Sequence, residues 1–265
     1  MIQSIIKRDG RVVLYDMNKI AAAVLKAIES QYDEDRYSED ELENYHQYIR
    51  ILAKFDWPAY LNPDTIFHKM VIDQFESDGE AGVVSAIYDY YDPLYLKDLE
   101  NELSESEVIN KDRLPLFKEA FLLYQLGYYY GAVSILIMQI VGITADIEKY
   151  LKRNNASYDP KTLELIEKRY GFNHVNDTSR VMTAVLESKQ IDENEGEYGF
   201  LMGYLRFKIF DTHISKEEME KHVNRHLLCH GAQLNYGTKE HALKVILCID
   251  ALATVAAVIA DNLKE

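Results

Sequence analysis

The run Arg225-His226-Leu227-Leu228-Cys229-His230 sets a permanent cation and an imidazole five positions apart, behind Asn224 and ahead of Gly231. These side-chain types suffice to cut RNA without a metal. A base takes the 2′-hydroxyl proton, and the oxygen then attacks the neighbouring phosphate. Histidine titrates close to neutral pH, so His230 can serve as base or acid. Arg225 stays protonated and can fork onto a phosphate as charge builds. A spacing of five turns the two side chains about 140° apart on an ideal helix. Bringing them together requires a break at the helix end or a second copy of the chain. His226 and Asn224 are the supporting candidates.

His222, His226 and His230 recur every four residues, a spacing that zinc sites also use. No His-Glu-x-x-His arrangement accompanies them, and neither Cys229 nor Cys248 is an evident fourth ligand. No metal site is expected, and no cofactor for catalysis.

Helices must position these residues. Lys216 to His230 reads as one helix, and Lys239 to Leu263 as a nearly all-apolar one crossing the core. Helices are also expected over Leu114–Tyr128 and Tyr130–Leu151, an αα-hairpin broken near Gly127 and Gly131, and at about 178–188 and 198–212. Asn154–Asn176 reads as irregular, with a short helix from Lys161. Tyr128, Tyr129 and Tyr130 are expected to pack rather than stack on bases. Asp250, inside the last apolar helix, is expected to pair with a base, the alternative being support for the active site. Earlier in the chain, Ile2–Ile6 and Val12–Tyr15 flank Asp9-Gly10, a hairpin signal. Helices follow from about Asp16 to Ile28, Tyr45 to Phe55, Asp64 to Phe75 and Gly82 to Tyr91. Polar residues 96–112 read as a linker.

The chain has 265 residues, 48% apolar and 28% charged, the composition of a globular protein. Its net charge of −15 is lopsided: residues 1–110 hold 23 acidic and 10 basic side chains. That excludes a broad duplex-binding surface, which needs many basic contacts to phosphate. Two cysteines rule out a disulfide scaffold and fit a reduced, cytoplasmic setting. No signal peptide is expected. The apolar runs Ala132–Ile147 and Leu243–Ile259 are interrupted by Gln139, Lys244 and Asp250, and suit core helices better than membrane spans.

The opening Ile5-Ile6-Lys7-Arg8-Asp9-Gly10-Arg11-Val12-Val13, with Asp16-Met17-Asn18-Lys19-Ile20, resembles an ATP-cone, a small nucleotide-sensing regulatory domain. Asp64-Thr65-Ile66-Phe67-His68-Lys69-Met70-Val71 resembles its second-helix entry, and Gly79 to Tyr90 its final helix. The resemblance implies ATP or dATP as allosteric effector, with Lys7, Arg8, Gly10, Lys19, Asp64, Thr65 and His68 as contacts. Tyr91 stands where the family usually has arginine.

From Arg113 onward the chain resembles a HEPN domain, a helical bundle common among prokaryotic ribonucleases. Arg225 to His230 matches the family's Arg-x4–6-His signature, with Asn224, His230-Gly231 and Tyr236-Gly237-Thr238 around it. Val141 replaces the glutamate that many relatives carry before the glycine of the second helix; Gln139, Asp146 or Glu148 could supply polar support instead. The two resemblances imply a mainly α protein: a small α+β ATP-cone-like domain (1–95), a linker (96–112) and an all-α HEPN-like bundle (113–265) with an insertion near 154–197. They imply a nucleotide-regulated, metal-independent endoribonuclease acting on RNA. A homodimer or higher homo-oligomer builds the cleft, the setting is phage defence or a toxin, and an antitoxin or defence partner accompanies it. The alternative is a catalytically inactive nucleotide-sensing dimer that binds a partner protein.

Overall fold

The computed structural model describes residues 3–6, 12–15, 39–154, 200–201, 203–211 and 215–264. Strands β1 (Gln3–Ile6) and β2 (Val12–Tyr15) pair antiparallel, Gln3 opposite Tyr15 and Ile6 opposite Val12. The Asp9-Gly10 turn, on which the expected hairpin depends, lies outside the described residues, as do the helices expected at about 16–28, after Lys161 and at 178–188. The rest is mainly helical: α1 (Glu39–Lys54), α2 (Thr65–Tyr90), α3 (Pro93–Glu105), a 3₁₀ turn (Lys111–Arg113), α4 (Leu114–Gln125) and α5 (Tyr129–Arg153). A π-helical segment (Leu205–Phe210), α6 (Lys216–Lys221), α7 (Arg225–Cys229) and α8 (Lys239–Asn262) complete it.

The core forms where α8 lies along α5, and α4 packs on α5. Ala132, Val133, Leu136, Ile137, Ile140, Ile143 and Ile147 make the buried stripe of α5 at three- and four-residue steps. Both α5 and α8 are long and apolar enough to cross a membrane. Yet 56% of the apolar window of α5 and 83% of that of α8 is buried inside the fold, as in core helices. The polar interruptions of α8 have partners. Lys244 meets Glu240 at 2.6 Å and lies over the Trp57 ring. Asp250 accepts from the Tyr95 hydroxyl at 3.1 Å, so its partner is a phenol and not the expected base.

Side-chain caps set the helix starts. Asp64 accepts from Ile66 N at the head of α2, Asp92 from Tyr95 N at α3, and Thr238 from His241 N at α8. The two helices expected over 64–91 run together as α2, bent at Gly79, whose φ of 63° and ψ of −136° are not helical. Helix α3 fills most of the expected linker. Its Leu96, Leu99 and Leu103 fall on one face and are buried, a periodicity hidden among seven polar and charged neighbours.

The end of α1 is unusual. Trp57 N donates to Leu52 O at 3.0 Å, and Asp56 adopts φ 56°. This is the glycine position of a Schellman cap. A non-glycine residue there costs roughly 1–2 kcal/mol, so the aspartate side chain must gain elsewhere.

Candidate functional site

The helix expected from Lys216 to His230 is two. His222 and Asn224 are extended, at φ −136°, ψ 153° and φ −105°, ψ 118°, which separates α6 from α7. The break arises because Asn224 caps α7, its Oδ1 accepting from Leu227 N at 3.0 Å. Helix α7 ends in a full Schellman motif: Ala232 N donates to Leu227 O at 2.8 Å, Gly231 N to Leu228 O at 3.0 Å, and Gly231 takes φ 68°. A five-residue helix is not stable alone. It stands because both ends are tied down.

Those ties are buried. Asn224 is wholly inaccessible, and its Nδ2 donates to Asp211 O at 2.7 Å and Lys208 O at 3.3 Å. Gln233, just beyond α7, accepts from Asn224 N at 2.9 Å and donates to His222 O at 2.7 Å and Met219 O at 2.8 Å. Asn224 is therefore a positioning residue, since its side chain is spent inside the protein and cannot touch a substrate. Cys229 Sγ, 3.7 Å from Met138 Sδ, rests the outer side of α7 on α5. The following loop lies on α5 through Tyr236, whose hydroxyl is 3.1 Å from Ser134 Oγ and whose ring meets Tyr130 edge-on.

Within this frame His222 separates from His226 and His230. The rings of His226 and His230 sit edge to face, centroids 4.5 Å apart, with His230 exposed. Arg225 is half-buried, and its Nε is buried with no hydrogen-bond partner among the described residues. A buried guanidinium donor without an acceptor is costly, and an oxyanion is the group that would satisfy it. His222 faces the other way, into the protein. Among the described residues no group of His, Cys, Asp and Glu could hold a metal ion.

His222 belongs to a buried charge cluster that no sequence pattern announced. Its Nε2 is 3.3 Å from Asp56 Oδ2, and its Nδ1 is 3.4 Å from the Tyr204 hydroxyl. Lys208 Nζ reaches Glu218 at 2.7 Å and Asp56 at 3.3 Å. Burial alone would raise the Asp56 carboxyl, but His222 and Lys208 outweigh it and hold the group at about 2. Burial lowers His222, keeping the ring neutral, against the pull of Asp56. The only sequence hint is Asp56 itself, an acidic residue where a helix stops.

The polar support considered for α7 serves another residue. Arg113 binds Asp146 at 2.6 and 3.2 Å, Gln139 Oε1 at 3.0 Å and Gly142 O at 2.9 Å. Glu148 pairs with Lys152.

Lys7, Arg8, Gly10 and Lys19 lie outside the described residues. Asp64 caps α2 and accepts from the Tyr90 hydroxyl at 3.0 Å; Thr65 beside it is exposed. His68 is a core residue, stacked on Tyr48 at 4.2 Å with Nε2 2.7 Å from Asn62 O, and burial lowers its pKa. Its ring reaches no solvent-borne ligand without opening that contact. Tyr91, in the place of the family's arginine, is buried and accepts from Asn62 Nδ2 at 2.9 Å.

Strands β1 and β2 followed by a helical run ending at Lys54 coincide with a known family pattern. Residues 3–54 match the ATP cone domain. The match spans less than half of the chain, covers β1, β2 and α1, and points to nucleotide sensing in this first part. The cone match stops two residues before Asp56. No curated protein and no solved structure matches the chain.

Proposed function

We propose that the protein is a nucleotide-regulated, metal-independent endoribonuclease of HEPN type, acting in the cytoplasm. The observation that carries this reading is half-buried Arg225, whose Nε has no hydrogen-bond partner among the described residues, at the start of the short helix that also carries His226 and ends at His230, their two imidazoles 4.5 Å apart. Arg225 holds the non-bridging oxygens of the scissile phosphate. His230 removes the 2′-hydroxyl proton, and the freed oxygen bonds to phosphorus. The bond from phosphorus to the 5′ oxygen breaks, and protonated His226 returns a proton to that leaving oxygen. The products are a 2′,3′-cyclic phosphate and a 5′-hydroxyl, and no metal or other cofactor enters.

The cone match supports ATP or dATP as effector, with Lys7, Arg8, Gly10, Lys19, Asp64 and Thr65 as the contacts by family resemblance. A homodimer or larger homo-oligomer completes the cleft around α7. Phage defence or growth arrest as a toxin, with an antitoxin or defence partner, follows from the HEPN resemblance. The test incubates purified protein with mixed RNA, with and without ATP or dATP. Cleavage that responds to nucleotide and disappears in His230→Ala is expected; no cleavage in any condition, or equal cleavage by His230→Ala, removes the reading.

A second reading has one observation in its favour. Leu122, Leu126, Tyr128, Tyr130 and Leu234 are large apolar side chains left exposed, which suits a catalytically inactive nucleotide-sensing dimer that binds a partner protein. It predicts ATP-dependent thermal stabilisation with no ribonuclease activity.

A further inference from the structure

Asp56 is the one described non-glycine residue with positive φ. It follows immediately on α1, whose last residue, Lys54, ends the cone match. Asparagine or glycine would cap that helix with less strain, so its carboxylate needs a use. The contacts supply one. Asp56 Oδ2 sits 3.3 Å from both Lys208 Nζ and His222 Nε2. The same two residues offer their carbonyls to the clamps of α7: Lys208 O accepts from Asn224 Nδ2, and His222 O accepts from Gln233 Nε2. Asn224 then caps α7, while Gln233 binds Asn224 N. Each end of α7 is thus two contacts away from one carboxylate just past the end of the family match.

We infer that Asp56 is the positioning residue through which the nucleotide domain sets the geometry of Arg225, His226 and His230. For its input the inference rests on the nucleotide-sensing reading. The physical device is simple. Any turn or shift of α1 moves Asp56, because the residues on either side are tied to the last turns of the helix, Phe55 N to Ile51 O and Trp57 N to Leu52 O. If the carboxylate leaves Lys208 and His222, each buried group loses one of its two acidic partners and keeps only Glu218, at 2.7 Å from Lys208 Nζ and 3.6 Å from His222 Nε2. The segment carrying Asn224 must follow or open. A helix as short as α7 registers small displacements of its clamps as a change in whether it is formed. Coupling carried by a contiguous ionic and hydrogen-bonded network of this kind is a claim about energy, and it needs a measurement of coupling.

Amide hydrogen exchange on the full chain provides it, read at residues 222–233 for wild type, Asp56→Asn and Asp56→Gly, each without nucleotide and with ATP or dATP. Both variants accept the positive φ and lack the charge, so the helix cap survives. Without nucleotide, both should exchange about tenfold or more faster than wild type across 225–229, with α5 and α8 unchanged. Unchanged protection of 225–229, or loss in only one variant, overturns the inference. With nucleotide, wild type should change its protection of 225–229 by about fivefold or more, and both variants should lose that response. Nucleotide that protects α1 but leaves 225–229 unaltered overturns the relay while nucleotide sensing stands. Nucleotide that alters no amide anywhere removes the sensing reading, and the nucleotide-free comparison still decides whether Asp56 positions α7. RNA is absent throughout, so the outcome is independent of catalysis.

Discussion

The Arg113 guanidinium lies directly against Gly142, where a Cβ would fall 2.0 Å from Nη1. Arginine and glycine fit because the glycine leaves room for two bonds to Asp146, one to Gln139 and one to the Gly142 carbonyl. Asp146 also accepts from Asn110 N at 3.0 Å, which fastens the start of α4 to the middle of α5.

Asp146→Asn should therefore destabilise the protein by about 2–3 kcal/mol, below the full value for a broken buried pair because Arg113 keeps some solvent. Gly142→Ala should cost about 1–3 kcal/mol by forcing the guanidinium away. Urea titrations followed by far-ultraviolet circular dichroism measure both. A shift under 0.5 kcal/mol for Asp146→Asn would show that the pair is ornamental.

Asn224→Ala removes the α7 cap and two buried amide bonds together. At about 1 kcal/mol for a cap and about 1 for each buried hydrogen bond, the loss should reach about 2–3 kcal/mol. If α7 carries the reaction, activity should fall while the pH profile keeps its shape, since no titrating group is altered. A shifted pH profile would show that Asn224 acts on the chemistry directly.

The large helices were legible because their apolar residues repeat at helical spacing and their ends carry ordinary caps. Leu114, Tyr129 and Lys239 begin helices within a residue of the expected starts. The break between α6 and α7 leaves no trace in the sequence, because the residues on each side of it are compatible with helix. Only the fold shows that Asn224 spends its side chain as a cap. His68 read as a contact residue because its position in a motif says nothing of its burial. Asp56 and Lys208 could not be paired from sequence at all. They are 152 positions apart, and an ion pair between distant segments leaves no periodic trace. Helix α3 was hidden by composition, since three leucines suffice to bury it.

On the ribonuclease reading, Arg225→Ala and His230→Ala should each lower cleavage by roughly 10²–10⁴-fold. Arg225→Lys should not rescue, because an ammonium cannot fork onto two phosphate oxygens or fill the place of Nε. Thermal melts of the same variants should move little, as α7 is anchored by Asn224 and Gln233 and not by these side chains. Cleavage by Arg225→Lys at near wild-type rate would reduce Arg225 to a surface charge.

Asp250 gives a pH dependence of definite sign. Burial, reinforced by the nearby Glu102 carboxylate, raises its pKa from 3.8 to about 7, against the Tyr95 hydroxyl, which favours the ionised form. The folded protein therefore holds a proton that the unfolded chain releases between about pH 4 and 7. The favourable contribution of the neutral acid is fully present below about pH 4 and is lost as pH rises through about 7. Asp250→Asn keeps the hydrogen-bonding shape without the charge. Relative to wild type it should gain stability on going from pH 4.5 to pH 8, by on the order of 1–3 kcal/mol. Thermal melts at both pH values measure the difference. A constant offset across the range would mean that Asp250 is ionised in the folded state throughout, held so by the Tyr95 hydroxyl.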